Sequence, residues 1–339
     1  MDYSLSFPTG SVQYRFNGIK ELLSTAPPEQ AVIITDSNIA SLYPDVFAVY
    51  RTIILPAGEE YKTQDVIKTI TEHLLEFKAY RKTMLIGFGG GVVTDITGYA
   101  ASVYMRGLQF GFVPTSLLGM VDAAIGGKNG VNFGLHKNML GTIQQPSFIL
   151  YDTTLLNTLS DIEWCNGFAE IIKYACIFDA ALYKELQQNN LHYYKENKDA
   201  LLALIQRCIA LKNKTVLEDE KEKGIRKLLN FGHTAGHAIE TLYNLPHGQA
   251  VSLGMLVSCK VAERVCGLNP AIKEQLAQLL AQYKLPVSLR MHPEQLMDIL
   301  VMDKKRSGDF IDYVLLNDIG SAFIKPIPFE TIQTALEDF

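Results

Sequence analysis

The sequence predicts an α/β fold: an N-terminal unit built on a largely parallel sheet, followed by a mainly α-helical unit. Three observations predict it. Short apolar runs rich in β-branched residues alternate with helix-period segments through the first half of the chain. A glycine-rich turn, Gly87-Phe88-Gly89-Gly90-Gly91, joins one of those runs to a helical segment. Beyond about residue 156 the alternation stops and long helical stripes take over.

The elements follow in order. Ala31–Asp36 is an apolar run closing on an acid, and Arg51–Pro56 is a second strand candidate. Val66, Ile67, Ile70, Leu74, Leu75 and Phe77 fall at helical spacing within residues 62–79, predicting a helix that leads to the next strand, Thr83–Phe88. A helix over Val92–Tyr104 follows the glycine turn, and Phe110–Pro114 and Ser147–Tyr151 supply further strands. In the second half, Leu201, Leu204, Ile205, Cys208, Ile209 and Leu211 form one helical stripe, and strand character returns only at Phe310–Leu316. No linker, repeat or low-complexity tract separates the parts, so units 1–156 and 157–339 are expected to pack tightly and share a cleft.

Composition narrows the function. With 48% hydrophobic and 20% charged residues, the chain has the balance of a soluble globular protein with a sizeable core. The net charge of -5 argues against a broad nucleic-acid footprint and leaves room for local basic pockets. The first residues, Met1–Phe7, carry neither a basic n-region nor an apolar h-region, and no apolar run has bilayer-spanning length. The five cysteines form no CxxC pair, and their odd number suits a reducing compartment, where they are expected to be buried small hydrophobes. A cytoplasmic enzyme is the expectation.

Its chemistry is expected around Asn230-Phe231-Gly232-His233-Thr234-Ala235-Gly236-His237 and His247-Gly248, because three of the seven histidines fall there. His233 and His237 at i and i+4 share a helix face, the spacing that grips a metal or anion, and Gly232 and Gly236 are expected to keep the backbone side of that face clear. Phe168–Lys173 places Glu170 and Lys173 at i and i+3 in an apolar run, which is either an ordinary helix salt bridge or part of the same pocket. Lys212, Glu222 and Arg226 precede the histidines and add charge. The glycine turn with Asp95 suits a pyrophosphate facing a helix start, and Asp36 with Asn38 suits ribose hydroxyls or, equally, a helix N-cap. Asp122–Asn132, glycine-rich and carrying Lys128, and then Lys137-Asn138, read as flexible backbone offering donors to an anionic substrate.

These segments together resemble the 3-dehydroquinate synthase family. The resemblance rests on GGGVV-x-D at 89–95, YMRG at 104–107, MVD at 120–122, IGGK-x-GVN at 125–132, KN at 137–138, AEIIK at 169–173, LNFGHT-x-GHA at 229–238 and HG at 247–248. It implies a Rossmann-like NAD domain, a mainly helical domain and an active site between them. It also implies a divalent metal, zinc or cobalt, on Glu170, His233 and His247, which moves His237 from the metal to the substrate's phosphate end. NAD contacts would come from Asp36, Asn38, Glu59, Lys62, Gly90, Gly91, Asp95, Thr115, Ser116, Lys128, Lys137 and Thr158. Substrate contacts would come from Asp122, Lys128, Asn138, Lys173, Lys212, Arg226, Asn230, His237 and a lysine of Lys304-Lys305. Arg106 would reach the phosphate in a neighbouring subunit, making a homodimer the expected unit. The chain departs from the family pattern at Thr94 and His136, each for glycine, at Ser116 for threonine, and at Gln249 for glutamate.

The implied reaction takes 3-deoxy-D-arabino-heptulosonate 7-phosphate through transient oxidation by NAD, phosphate elimination, re-reduction, ring opening and intramolecular aldol closure to 3-dehydroquinate. Two enzyme alternatives share parts of this pattern: a metal- and NAD-dependent polyol dehydrogenase, and a cyclase acting on sedoheptulose 7-phosphate or glucose 6-phosphate. The several cationic residues distinguish the first expectation, since a substrate without a carboxylate does not need them. A non-enzymatic binding module is the remaining class, and the intact ligand sets speak against it.

Overall fold

Seven strands form the sheet of the first unit, which spans Met1–Leu159. The computed structural model describes residues 2–134, 136–301, 306–307 and 309–339. In chain order the strands of this unit are β1 (Tyr3–Phe7), β2 (Gly10–Arg15), β3 (Ala31–Asp36), β4 (Arg51–Leu55), β5 (Met84–Gly89), β6 (Phe110–Pro114), β7 (Lys128–Phe133), β8 (His136–Ile143) and β9 (Phe148–Leu150). The sheet runs β1-β2-β9-β6-β5-β3-β4 and is parallel except for the β1–β2 hairpin. Helices Gln64–Glu76 and Gly91–Val103 occupy the predicted crossovers. Ile33, Ile34, Leu85, Ile86, Phe88, Phe112 and Val113 are buried along the central strands, each contributing roughly 1.5–3 kcal/mol by leaving water. Such two-sided burial is what continuous apolar runs, rather than alternating ones, produce.

Two features depart from the sequence reading. The edge hairpin β1–β2 carries no apolar run: its burial alternates, so it has the half-exposed pattern of an edge. The segment after Asp122 is not flexible backbone. Its second half is β7, which pairs antiparallel with β8 from Lys128↔Ile143 to Phe133↔His136. Gly130 serves that pairing: a Cβ there would meet the Leu140 carbonyl oxygen at 2.6 Å.

The second unit spans Ser160–Phe339 and is mainly helical. Helix Asp161–Phe178 is buried continuously from Trp164 to Ile177, the mark of a central helix rather than an amphipathic one. Around it lie Lys198–Glu218, His233–Tyr243 and His247–Cys266. A small antiparallel sheet of β10 (Arg306–Ser307), β11 (Phe310–Asp318) and β12 (Ser321–Pro328) closes the unit. Four cysteines are buried as expected of small hydrophobes, but Cys266 is exposed at the end of its helix.

Candidate functional site

In the first unit, strand order marks where a ligand belongs. The chain steps from β3 outward to β4, then returns to the other side of β3 for β5 and continues to β6. The direction of winding therefore reverses between β3 and β5, and ligands of open α/β sheets bind outside the carboxyl ends of the strands at such a switch. Asp36 ends β3, Gly89 ends β5, and Thr115 and Ser116 follow β6, so these residues stand at that one end. Helix Gly91–Val103 begins there with no side-chain cap on its first N–H groups, which suits a pyrophosphate. The glycines permit close packing at this end: a Cβ on Gly91 would touch Ala123 at 3.0 Å, and one on Gly90 would reach the Ser116 hydroxyl at 3.4 Å.

Asp36 itself caps a helix, its Oδ1 accepting from the Asn38 and Ile39 N–H groups at 2.9 and 3.0 Å. Lys62 is buried, and its ammonium donates to Asp95 and Asn138, both at 2.6 Å. Asn132 donates to Glu59 at 2.9 Å. Thr158 is exposed beside the Tyr43 hydroxyl, and Lys128 is exposed at the start of β7. Asp122 lies in a five-residue π-helical turn, Gly119–Ala123, of the kind that often marks a functional site. Lys137 stands on β8. Arg106 is exposed and follows Met105, both with left-handed φ (+68° and +49°). Thr94 fits within its helix, its hydroxyl donating to the Gly91 carbonyl at 3.0 Å.

In the second unit the candidate donors converge. Glu170, from the middle of the buried helix, faces His233 at the start of one helix and His247 at the start of another. One ligand atom from each lies within 4.8 Å of the others. His247 Nε2 stands 3.0 Å and His233 Nε2 3.3 Å from the same Glu170 Oε1. Their Nδ1 atoms point elsewhere, His233 to the Phe231 carbonyl at 3.1 Å and His247 to Glu240 at 3.5 Å. Lys173 forms an ion pair with Glu170. His237 lies beside the group, its ring 5.3 Å from His233 and 6.4 Å from His247, so the i, i+4 spacing does not by itself select the converging pair.

The electrostatics separate the three groups. Burial alone would push the Glu170 carboxyl up; the Lys173 ammonium and the imidazoles outweigh it and hold it well below the usual carboxylate range. Burial holds His233 below its ordinary value. His247 resists the same burial because hydrogen bonds to Glu170 and Glu240 push it up to about 10. A neutral His233 then meets a conflict. Whichever nitrogen carries its one proton, the other aims a lone pair at an oxygen, either the Phe231 carbonyl or Glu170. A divalent cation accepting from both Nε2 atoms and Glu170 removes the conflict, so the donor set fits a metal of zinc's type.

The substrate candidates of this unit lie on neighbouring elements. Lys212 is buried on helix Lys198–Glu218. Arg226 is 1% exposed, and its guanidinium donates to the Glu220 carbonyl at 2.5 Å. Asn230 donates to Glu222 at 2.7 Å. Lys304 and Lys305 lie outside the described residues. Two residues escaped the sequence reading. Glu240, seven residues after His233, sits against His247. Asn166 accepts the Gly248 N–H at 3.0 Å and so seats the start of the His247 helix. A carboxylate and an amide within otherwise apolar helical stretches were the available signal.

The fold, an α/β unit followed by a helical unit, is shared by solved cyclases and, at lower similarity, by solved dehydrogenases. A 2-epi-5-epi-valiolone synthase from Streptomyces hygroscopicus subsp. jinggangensis 5008, solved with NAD+ and Zn2+ bound, matches at TM-score 0.87 and 28% identity, over 99% of this chain and 97% of that one. Family models narrow the class: 3-dehydroquinate synthase N-terminal matches residues 52–166 and 3-dehydroquinate synthase C-terminal matches 167–306. The 3-dehydroquinate synthase of Pyrococcus furiosus is 39% identical over 329 residues, 94% of this chain and 96% of that protein. That of Vibrio atlanticus is 38% identical over 91% of this chain and 89% of its own. The chain belongs to the 3-dehydroquinate synthase family.

Proposed function

We propose that the chain converts 3-deoxy-D-arabino-heptulosonate 7-phosphate to 3-dehydroquinate and phosphate, with NAD and one divalent metal, zinc or cobalt. The observation that carries this reading is the converging Glu170–His233–His247 donor set in a chain of this family. Identity also favours it over the other cyclases, at 39% to the Pyrococcus furiosus 3-dehydroquinate synthase against 28% to the valiolone synthase. That synthase holds NAD+ and Zn2+, and the switch-point crevice and the donor set here suit the same two groups.

When bound, NAD supplies a reversible hydride acceptor and the metal a Lewis acid that acidifies a carbinol. Everything else is binding and orientation by the chain. Asp36, Asn38, Glu59, Lys62, Gly90, Gly91, Asp95, Thr115, Ser116, Lys137 and Thr158 hold the nucleotide. Arg226 and Lys212 receive the carboxylate, for which the planar guanidinium fork is suited. Asn138, Asn230 and His237 donate to the phosphate, and Asp122, Lys128 and Lys173 line the reacting ring. Cationic and N–H donors stabilise the charge that grows on the departing phosphate. Lys304 or Lys305 joins the phosphate set, and Arg106 serves the site of the second subunit in a homodimer.

A cytoplasmic setting belongs to the same reading; among the described residues no helix is long and apolar enough to cross a membrane. The test is phosphate release from the heptulosonate phosphate. It should require both NAD and metal, stop on chelation and return with zinc or cobalt. Full activity after verified metal removal would refute the role of the donor set.

A further inference from the structure

Asn132, near the end of β7, joins two groups of candidate site residues. Its backbone N–H donates to the Lys62 carbonyl at 2.8 Å, and it bridges to Thr63. Its side chain is used at both ends. Nδ2 donates to Glu59 Oε1 at 2.9 Å, and Oδ1 accepts the Asn138 N–H at 2.8 Å. Asn138 has a left-handed conformation, φ +50°, which asparagine adopts more readily than other non-glycine residues, and the bond from its N–H to Asn132 ties that turn down. The Lys62 ammonium then donates to Asn138 Oδ1 at 2.6 Å. That bond sets the direction of the exposed Asn138 amide: its oxygen is engaged inward, and its NH2 hydrogens are what it offers outward. An outward NH2 recognises an anionic oxygen.

We propose that Asn132 is a positioning residue that sets Asn138 to receive the phosphoryl end of the substrate and couples it to the Glu59–Lys62 segment of the nucleotide site. The proposal rests on the reading of Asn138 as a substrate contact and of Glu59 and Lys62 as nucleotide contacts. One amide holds both, so its loss loosens both together. The two halves of the amide are separable. Asn132→Asp keeps an acceptor for the Asn138 N–H but replaces the donor to Glu59 with a like charge. Asn132→Ala removes both.

The test uses the metal-loaded enzyme, inorganic phosphate as a competing ligand, and NAD binding by calorimetry. Asn132→Ala should weaken phosphate binding by about tenfold and NAD binding by several-fold, with KM for the heptulosonate phosphate rising and kcat changing less than about threefold. Asn132→Asp should weaken NAD by about tenfold but phosphate by less than about threefold. Asn132→Ala with Asn138→Ala should bind phosphate no worse than Asn138→Ala alone. Additive losses in that double variant, or an Asn132→Asp protein that loses phosphate and NAD equally, would overturn the proposal. The readouts stay separate from the reaction: if the parent binds NAD and phosphate but does not turn over the heptulosonate phosphate, the function falls while these binding comparisons still decide the role of Asn132.

Discussion

His247 stands between two carboxylates, Glu170 at 3.0 Å and Glu240 at 3.5 Å, and they hold its proton up to about pH 10 despite burial. Glu170 is already ionised and His233 already neutral near pH 8. A metal ligand must be a neutral imidazole, so metal uptake has to displace that one proton. Between the depressed His233 value and about 10 the metal-free site therefore binds one proton more than the loaded site, and metal affinity rises by about tenfold per pH unit across that range. Calorimetry at pH 8 in buffers of different ionisation enthalpy should find about one proton released per metal bound. Uptake without proton release, and an affinity flat with pH, would contradict this arrangement. At this scale the sequence is half legible. Clustered histidines advertise a site, but the choice of His247 over His237 depends on how two helix starts meet a buried carboxylate, which no local spacing encodes.

At the scale of elements, the glycines around His233 do something other than clear the site. Gly232 has φ +76°, and a Cβ there would meet Met255 Cγ at 2.5 Å and the Val251 carbonyl at 3.0 Å. A Cβ on Gly236 would meet the Ala250 carbonyl at 3.2 Å. Both glycines therefore let helices His233–Tyr243 and His247–Cys266 approach backbone to backbone, which sets the separation of the two histidine-bearing starts. Gly232→Ala combines a left-handed penalty of about 1 kcal/mol with overpacking of 1–3 kcal/mol, so a loss of at least about 2 kcal/mol is expected in denaturant unfolding. Metal affinity should fall with it; an unchanged midpoint would show that this approach is not constrained. The parallel strands β3, β5 and β6 are legible because burial on both faces demands unbroken apolar runs. The β7–β8 hairpin is not, since its glycines and lysines carry turn-like composition while the pairing partner lies beyond the turn. The edge hairpin β1–β2 is silent for a different reason, having only a few inward positions such as Phe7, Val12 and Tyr14.

For the whole molecule, the proposed assembly is a dimer in which Arg106 serves the second subunit. Met105, Arg106 and Gly107, exposed beside Val103 and turning through two consecutive left-handed residues, are the surface of the proposed contact, while Tyr104 is buried. Mixing Arg106→Ala subunits with His247→Ala subunits should restore up to about a quarter of the parent activity, because in each heterodimer one site regains its full set of residues. No recovery in verified heterodimers would count against sharing. The proposed substrate carries a carboxylate at one end and a phosphate at the other. Arg226, buried and donating to the Glu220 carbonyl, is the residue assigned to the carboxylate. The most direct measurement compares kcat/KM for the heptulosonate phosphate and for sedoheptulose 7-phosphate, in the parent and in Arg226→Lys. The parent should turn over the heptulosonate phosphate and leave sedoheptulose 7-phosphate almost untouched. Arg226→Lys should cost at least about tenfold on the former, since a lost fork contact is worth on the order of 1.4 kcal/mol. Comparable turnover of both substrates, with Arg226→Lys indifferent, would contradict the assignment and place the chain among the cyclases of neutral-ended sugar phosphates.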